Sequence, residues 1–387
     1  MSALANPDLA LYVHVPWCVR KCPYCDFNSH VHQGELPEAA YVAALLADLE
    51  RDAPAVAGRP VRTVFFGGGT PSLLAAESVQ RLLDGIRSRV PLAADAEITL
   101  EANPGTIEHG RFAGYREAGV NRISLGAQSF GARQLQLLGR IHEVADTGRA
   151  VGELAAAGLA NFNLDLMYAL PEQGIEGAVT DVDAALAFAP PHLSHYQLSL
   201  EPGTVFYTRP PALPDEDLAE AIQAAAHARL EAGGYRRYEV SAWAKAGAEC
   251  RHNVNYWRYG DYLGIGAGAH GKLTDAASGS IVRTEKPKQP RSYLAAAVES
   301  GPLGTHVAVA PEARPFEFML NALRLTDGFR NDEFEARTGL GIGSQAAPLG
   351  LAATRGLLAP TPGGWRPTAL GTRFLNDLQA LFLPGRR

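Results

Sequence analysis

Three cysteines fall within eight positions near the start of the chain, in the pattern C-x₃-C-x₂-C. Cys18, Cys22 and Cys25 follow a short β-branched and aromatic run, and the whole chain of 387 residues has only four cysteines. Three thiols can bind zinc with His30 as a fourth ligand, can exchange disulfides through the pair Cys22 and Cys25, or can hold an iron–sulfur cluster. The spacing leaves these alternatives open, although a cubane held by three thiolates would keep one iron free for chemistry.

Polar residues and glycines follow the other predicted strands at the points where the strands end. The turn GGGTP (67–71) ends the second strand, and later strands end at or carry Glu101, Gln128, Asp165, Ser199 and Glu201. The ends of parallel strands meet on one face of a β/α barrel, where catalytic groups gather. The turn lacks the pattern of a phosphate-binding loop, so we interpret it as bare backbone that a small zwitterion can approach. Glu101 is then a candidate acceptor for ribose hydroxyls.

Alternating strand-like and helix-like segments are the elements that position these residues. Runs such as LALYVHV (9–15) and RTVFF (62–66) read as buried strands, and PEAAYVAALLADLERDA (37–53) has the apolar spacing of a helix. Six such units follow one another. They predict an α/β fold with a parallel sheet and outer helices, and six units form an open, partial (β/α)₆ barrel rather than a closed one of eight.

The same pattern divides the chain into three regions. We expect the partial barrel in residues 1–240, with the cysteine loop at 16–30, and a glycine-rich extension of the barrel in 241–310. In that extension we expect one last strand with loops, and the stretch TEKPKQPRS (284–292) looks like a connector. Residues 311–387 form a small helical domain with a β-hairpin at 356–371 and a final helix, an order that resembles a winged helix.

Composition excludes several classes of function. Hydrophobic residues at 47% and charged residues at 20% are typical of a globular protein, and a net charge of −6 argues against general nucleic-acid binding. The nine arginines and seven acidic residues of 311–387 form no basic recognition stripe. We find neither a signal-peptide pattern nor an apolar run of about 18 residues, the length that spans a membrane. We therefore expect a cytoplasmic protein with reduced thiols.

The cysteine motif, the GGGTP turn and the glutamate of the next strand together resemble the radical S-adenosylmethionine (SAM) superfamily. The resemblance implies a partial (β/α)₆ barrel, and it implies that Cys18, Cys22 and Cys25 ligate a [4Fe–4S] cluster whose fourth iron binds SAM. The remaining roles that it implies concern SAM. Tyr12 and Tyr24 would flank a first SAM, Gly68 would meet its amino group and Glu101 its ribose, while a second SAM would be held by Gly69, Thr70, Gln128, Arg140 and Asp165.

Within that superfamily the chain resembles the branch of oxygen-independent coproporphyrinogen III oxidase. The segments that carry this resemblance include YVHVPWCVRKCPYCDFNSH, FFGGGTPSLL, NRISLGAQSF and HNVNYWRYGDYLGIGAGAHG. The oxidase has a further cysteine where this chain has Phe27, and it has a longer segment before the cysteine loop, which here begins after only a short stretch. Both differences point to the sister subfamily, the heme chaperones.

The chaperone resemblance implies a protein that binds heme and delivers it to an acceptor protein. The segment HNVNYW (252–257) is implicated in holding heme, and a neutral imidazole is a common axial ligand. His252 is therefore the first candidate ligand, followed by His270 and His195, with Cys250 as a less favoured thiolate alternative. The expected partners are heme and an acceptor, such as a membrane-associated respiratory protein, and a homodimer is an option. Radical decarboxylation of coproporphyrinogen III is the alternative function.

Overall fold

The structure is a computed structural model that describes residues 3–56, 58–105 and 110–384. The outermost residues of the predicted regions 1–240 and 311–387 therefore lie outside the described part. None of the helices described combines the length and apolar composition that crossing a membrane requires.

The strands are, in chain order, β1 Leu9–Val15, β2 Trp17–Cys18, β3 His30–Val31, β4 Val61–Gly68, β5 Leu92–Ala102, β6 Arg122–Gln128, β7 Phe162–Tyr168, β8 His192–Gln197, β9 Arg236–Glu239, β10 Ala242–Ala244, β11 Asp261–Ile265, β12 His270–Asp275, β13 Ser280–Glu285, β14 Thr305–Ala308, β15 Phe329–Arg330, β16 Leu358–Thr361 and β17 Gly364–Pro367. The α-helices are, in chain order, α1 Glu38–Asp52, α2 Ala76–Arg87, α3 Phe112–Ala118, α4 Ala132–Leu137, α5 Val144–Ala156, α6 Ile175–Ala187, α7 Val205–Thr208, α8 Glu216–Ala232, α9 Arg251–Trp257, α10 Pro290–Val298, α11 Arg314–Ala322, α12 Asn331–Thr338, α13 Ala346–Thr354, α14 Ala369–Arg373 and α15 Leu375–Ala380.

The six predicted strands form the centre of one sheet, in the spatial order β1-β4-β5-β6-β7-β8. Every neighbouring pair in this series is parallel, for example Tyr12 of β1 beside Phe65 of β4. Strands rich in buried Leu, Val and Ile alternate with helices that pack outside, because parallel strands need a crossover that covers the sheet. The prediction of an open barrel is confirmed: β1 and β8 do not pair among the described residues, and the sheet continues past both of them.

The sheet extends further than the sequence pattern indicated. Beyond β1 lies a seventh parallel strand, β11, followed by the antiparallel strands β12, β13 and β14, and beyond β8 lie β10 and β9. The last strand that we expected in this region is therefore β11. Much of the sequence after it, which we expected to form loops, forms the strands β12 and β13.

The prediction of a connector at 284–292 is wrong. Its first residues belong to β13, and its last belong to the start of α10. Between them Lys286 is only 1% exposed, and its ammonium lies 2.7 Å from the carboxylates of both Asp48 and Asp52 on α1. One of the three basic residues on which the connector prediction depended is therefore buried in an ion-pair cluster.

The interior of the barrel is polar. Along β6, β7 and β8 every second residue lines an interior cavity, as the alternation of side chains in a strand requires. These residues are Arg122, Ser124, Gly126 and Gln128 on β6, Asn163, Asp165 and Met167 on β7, and His192, Ser194 and Tyr196 on β8. A barrel interior filled only for stability is dominated by branched aliphatic side chains. The inner face therefore has the composition of a binding site.

The C-terminal region packs around a second hydrophobic core. Helix α11 contributes Phe318, α12 contributes Phe334, and a sheet in the order β15-β17-β16 covers them. The predicted hairpin within 356–371 is present as β16 and β17, and helices α14 and α15 follow it. Leu4, Tyr259 and Ile281 belong to the same core, so this region is joined to the preceding one through shared packing. The exact domain boundaries stay predictions.

Candidate functional site

A pocket of about 350 Å³ opens at the C-terminal ends of the parallel strands. We call it the mouth pocket; the cysteine loop and the ends of β4 to β8 form its walls. Among the residues singled out in the sequence, it is lined by Cys18, Cys22, Cys25, Tyr24, Gly68, Gly69, Thr70, Glu101, Gln128, Arg140, Asp165, Ser199 and Glu201. These positions are up to 183 residues apart in the chain (Cys18 to Glu201), and the parallel topology brings them together.

The three cysteines of the loop are free thiols, each half-buried against the mouth pocket. Thr70 Oγ1 lies 3.5 Å from Cys18 Sγ, Ser29 Oγ lies 3.9 Å from Cys25 Sγ, and an Arg140 nitrogen lies 3.6 Å from Cys22 Sγ. Burial raises the pKa of the thiols of Cys18 and Cys25. A cationic metal that binds the thiolates would offset this desolvation.

The donor set fits an iron–sulfur cluster better than a closed zinc site. Within residues 3–56, 58–105 and 110–384, no three His, Cys, Asp or Glu side chains converge on the position of a single metal ion. His30, the fourth ligand of the zinc alternative, lies outside the mouth pocket, and its Nε2 is 3.2 Å from Asn28 Oδ1. Structural zinc needs a closed tetrahedron, whereas three thiols beside an open pocket suit a cubane with one iron accessible.

Hydrogen bonds from His14, Lys21 and Asn28 hold the cysteine loop in place. His14 Nε2 lies 2.8 Å from the carbonyl oxygen of Asn28, and the Asn28 side chain bonds to the backbone of two distant segments. The Lys21 ammonium donates to the carbonyl oxygens of Phe27 and Ser29, at 3.1 Å and 3.2 Å, and closes the loop on itself. The loop conformation is therefore set by hydrogen bonds from the side chains of His14, Lys21 and Asn28 to backbone groups.

The two glycines of the GGGTP turn that the sequence assigned to SAM are also required by packing. A Cβ at Gly68 would lie 2.5 Å from the ring of His14, and one at Gly69 would lie 2.5 Å from the carbonyl oxygen of Trp17. Gly68 has a φ of +116°, which side chains other than glycine rarely adopt. Close packing against β1 and β2 is thus a sufficient reason for both glycines, independent of any ligand.

Two carboxyl groups face the interior where the mouth pocket meets the barrel. The N–H of Gly68 donates to Glu101 Oε2 at 3.2 Å, while Asp165 accepts hydrogen bonds from Ser124 and Asn163. Burial and the neighbouring Asp165 raise the pKa of Glu101 to about 8, and burial also raises the pKa of Asp165. At neutral pH the Glu101 carboxyl is largely protonated, so it can donate a hydrogen bond as well as accept one.

Arg140 links three parts of the mouth pocket. Its guanidinium contacts Cys22 Sγ, donates to the carbonyl oxygen of Gly126 at 3.0 Å, and bonds to the side chain of Asn103. Asn103 in turn donates to Thr70 Oγ1 at 3.2 Å. Sequence reasoning missed Asn103 and Asn28 as site residues, although Asn28 lies inside the cysteine motif and Asn103 lies two residues after Glu101. Only the folded contacts show that they connect the loops.

Tyr12 and His252, two residues predicted from the sequence, line a second cavity deeper in the barrel and not the mouth pocket. This inner cavity, about 170 Å³, is bounded by Tyr12, Phe65, Glu101, Arg122, Ser124, Asn163, Asp165, His192, Ser194, Tyr196, His252, Asn253 and Tyr256. Helix α9, which carries the HNVNYW motif, contributes His252, Asn253 and Tyr256 to the same wall.

His252 is placed differently from the expectation of an accessible heme ligand. It is 1% exposed, its Nδ1 lies 2.8 Å from Thr63 Oγ1, and its Nε2 lies 3.0 Å from the hydroxyl of Tyr256. Burial lowers the pKa of its imidazole to about 3, so the ring is neutral. Both ring nitrogens are engaged, and the described contacts leave neither free to bind iron.

The other candidate heme ligands differ in accessibility. His195 is buried between Tyr168 and His227, and Cys250 is buried with its thiol 3.7 Å from Glu97 Oε1. His270, at the start of β12, is exposed. Of the three histidines predicted from the sequence, His270 is the one that an external ligand can reach.

Known proteins match this chain over nearly its whole length. A model of the Radical SAM superfamily matches residues 12–185, and a model of the HemN C-terminal domain matches residues 309–374. The fold is that of the Escherichia coli coproporphyrinogen III oxidase HemN, a radical SAM enzyme, with a TM-score of 0.82, 23% identity, and coverage of 97% of this chain and 90% of that one. Heme chaperone HemW of Escherichia coli is 50% identical over 97% of this chain and 98% of its own length. Heme chaperone HemW of Haemophilus influenzae is 47% identical over 97% and 98%. The chain therefore belongs to the heme chaperone HemW family of the radical SAM superfamily.

Proposed function

We propose that this protein binds heme and transfers it to an acceptor protein. The observation that carries the proposal is the 50% identity, along nearly the full length of both chains, to a protein named heme chaperone HemW. Identity of this extent covers the cysteine loop, the polar barrel interior and the C-terminal region together. Fold similarity alone would not separate the two functions, because one fold hosts different activities.

A [4Fe–4S] cluster held by Cys18, Cys22 and Cys25 is the second part of the proposal. When bound, it would supply an iron position open to the amino and carboxylate groups of SAM. The half-buried thiols on one pocket wall support this assignment. The backbone contacts of Asn28 and Lys21 would keep the loop in shape while the thiolates bind.

For SAM we propose the residues that line the mouth pocket. Tyr24, Gly68 and Glu101 would contact a first SAM, and Gly69, Thr70, Gln128, Arg140 and Asp165 remain the proposed contacts of a second. A protonated Glu101 carboxyl suits a ribose, whose hydroxyls both donate and accept. Tyr12 would affect SAM binding indirectly, through the cysteine loop. Its hydroxyl lies 3.0 Å from the imidazole of His14, which supports that loop.

Coproporphyrinogen III oxidation is the alternative function. The whole-chain fold match to HemN is the observation that favours it, but at 23% identity that match shows the fold alone. Phe27 argues against it. This residue is 61% exposed, and it places an apolar ring at the mouth pocket where the oxidase has a further cysteine.

The proposal includes a partner and a setting. We expect the acceptor to belong to the membrane-associated respiratory proteins, and we expect this protein to act in the cytoplasm. We expect no nucleic-acid partner. A homodimer is one option for the oligomeric state. For the iron ligand of heme, the exposure of His270 now favours it over His252.

An anaerobic assay separates the two functions. Protein reconstituted with iron and sulfide is incubated with SAM and coproporphyrinogen III, and a parallel sample is titrated with heme. We expect saturable heme binding and no formation of protoporphyrinogen. Multiple-turnover formation of protoporphyrinogen would contradict the chaperone proposal and support the oxidase.

A further inference from the structure

The inner cavity has one aromatic wall and one polar wall. The rings of Tyr12 and Phe65 are stacked with centroids 6.4 Å apart, and Tyr256 of α9 continues this wall. Arg122, Asn163 and Ser194, on the N-terminal halves of β6, β7 and β8, form the polar wall. Glu101 and Asp165 also line the mouth pocket, so the two spaces share a boundary.

Arg122 is a buried cation of this cavity whose guanidinium lacks hydrogen-bonding partners among the described residues. It is 2% exposed, and its Nε has no partner in the described part of the chain. Its terminal guanidinium nitrogens make no described hydrogen bond either. A buried cation with unmatched donors is costly, and such groups in proteins are normally paired or solvated. The cavity in front of Arg122 is therefore the place where its partner would lie.

The acceptors near Arg122 are engaged by other donors. Asn163 Oδ1 accepts hydrogen bonds from His192 and Ser194, at 2.7 Å and 3.1 Å. Asp165 accepts from Ser124 and Asn163, and Glu97 accepts from the backbone N–H groups of Arg251 and His252. The charges of Glu97 and Asp165 act on Arg122 through space, but they leave its N–H groups unsatisfied.

We propose that the inner cavity binds a carboxylate, which Arg122 receives through its guanidinium. A guanidinium presents parallel N–H groups that match the two oxygens of a carboxylate. The cavity of about 170 Å³ corresponds to roughly five or six water molecules at about 30 Å³ each, which is space for a short alkyl carboxylate. The aromatic wall suits the alkyl part.

A single negative charge fits this cavity better than a double one. Glu97 and Asp165 lie near Arg122, and both would repel a phosphate dianion more strongly than a carboxylate. The carboxylate has two sources: a free small acid, or a propionate of a heme bound above the cavity. The site does not depend on heme transfer, and competition with heme distinguishes the two sources.

The full-length, cluster-free protein is titrated with propionate and with its neutral analogue propionamide, and binding is followed by ligand-detected NMR. We expect saturable binding of propionate and none of propionamide. Arg122→Gln should weaken propionate binding by at least about tenfold, because a charged hydrogen bond is lost. Arg251→Gln is the matched control: it removes an arginine that pairs with Asp95, and we expect it to bind propionate normally.

A second measurement keeps the test decisive if Arg122→Gln does not fold. Wild-type crystals are soaked with 3-bromopropionate, and the anomalous signal of bromine is located. A bromine peak in the inner cavity, with the carboxylate against Arg122, supports the site. Equal behaviour of propionate and propionamide, or only water molecules against Arg122 in the soaked crystal, would overturn it.

Competition identifies the source of the carboxylate. If heme displaces propionate and heme dimethyl ester does not, the site binds a heme propionate. Failure of both to displace propionate assigns it to a free acid. Heme binding in a protein that never binds propionate would leave the proposed function standing and overturn this inference alone.

Discussion

Asn28 in the cysteine loop and Ala267 in the glycine-rich turn after β11 are joined by a hydrogen bond of 2.9 Å, although they lie 239 residues apart. The same side-chain amide donates to the carbonyl oxygen of Lys288 at 2.9 Å. Gly268 allows this approach, because a Cβ there would lie 2.3 Å from the Asn28 amide. The barrel extension thus supports the loop that carries the three cysteines.

Asn28→Ala should weaken retention of the cluster. The change leaves the carbonyl oxygens of Ala267 and Lys288 without their donor, at a cost of about 1–3 kcal/mol for two hydrogen bonds. We expect iron release to a chelator to become several-fold faster, measured by loss of visible absorption. His32→Ala, which removes a hydrogen bond to Glu35 in the same region, is the control. Unchanged release in Asn28→Ala would mean that this anchor does not support the cluster.

Replacing any one of the three loop cysteines should abolish the cluster. Cys18→Ala, Cys22→Ala and Cys25→Ala each remove one thiolate ligand, whereas Cys250→Ala removes a buried thiol outside the mouth pocket. Protein purified without air should contain about four irons per chain in the wild type and in Cys250→Ala. Iron content and visible absorption give the answer. Stoichiometric zinc in a colourless protein would contradict the cluster assignment.

Glu101 should make the stability of the cluster-free protein depend on pH. Its pKa is raised from 4.5 to about 8 in the folded state, so the folded protein holds a proton that the unfolded chain releases. The contribution of this group is complete below pH 4.5 and is lost as the pH rises towards 8. The free energy of unfolding should fall by at most about 1.4 kcal/mol per pH unit in that range.

Glu101→Gln removes this titration and should make the fall in the free energy of unfolding between pH 5 and 8 less steep than in the wild type, measured by urea unfolding. Glu312→Gln, at an exposed carboxylate, is the control and should follow the wild type. A wild-type profile that remains in Glu101→Gln would show that another group is responsible.

His252→Gln should destabilise the fold without changing the heme spectrum. The imidazole bridges Thr63 and Tyr256, and glutamine cannot satisfy both, so we expect a loss of about 1–3 kcal/mol in urea unfolding. The comparison variant His270→Ala changes an exposed histidine and should alter the heme spectrum. The opposite result, a changed spectrum only in His252→Gln, would restore His252 as the iron ligand.

Much of the barrel and its mouth could be predicted from local patterns. Apolar strands such as 9–15 carry a strong signal, and a parallel topology places the ends of successive strands side by side. That rule alone brings Glu101, Asp165 and the cysteines to one pocket, as the structure shows.

The remaining features depend on contacts between distant segments. From the sequence Lys286 is assigned to a connector, because its ion-pair partners Asp48 and Asp52 lie more than 230 residues away in the chain. His252 reads as a free ligand because its partner Thr63 lies 189 residues away. The short antiparallel strands β12 to β14 are set by pairing with one another, for which the glycine-rich sequence has little local preference.

Heme titration of the cluster-loaded protein under nitrogen is the direct test of heme binding and transfer by this chain. We expect a saturable Soret band with one heme per chain, and loss of that band from this protein when an apo-acceptor protein is added. The cluster-free protein, titrated in parallel, shows whether the cluster affects binding or transfer. Heme absorption that rises without saturation, and that remains with this protein when the acceptor is present, would contradict the claim that this chain is a heme chaperone.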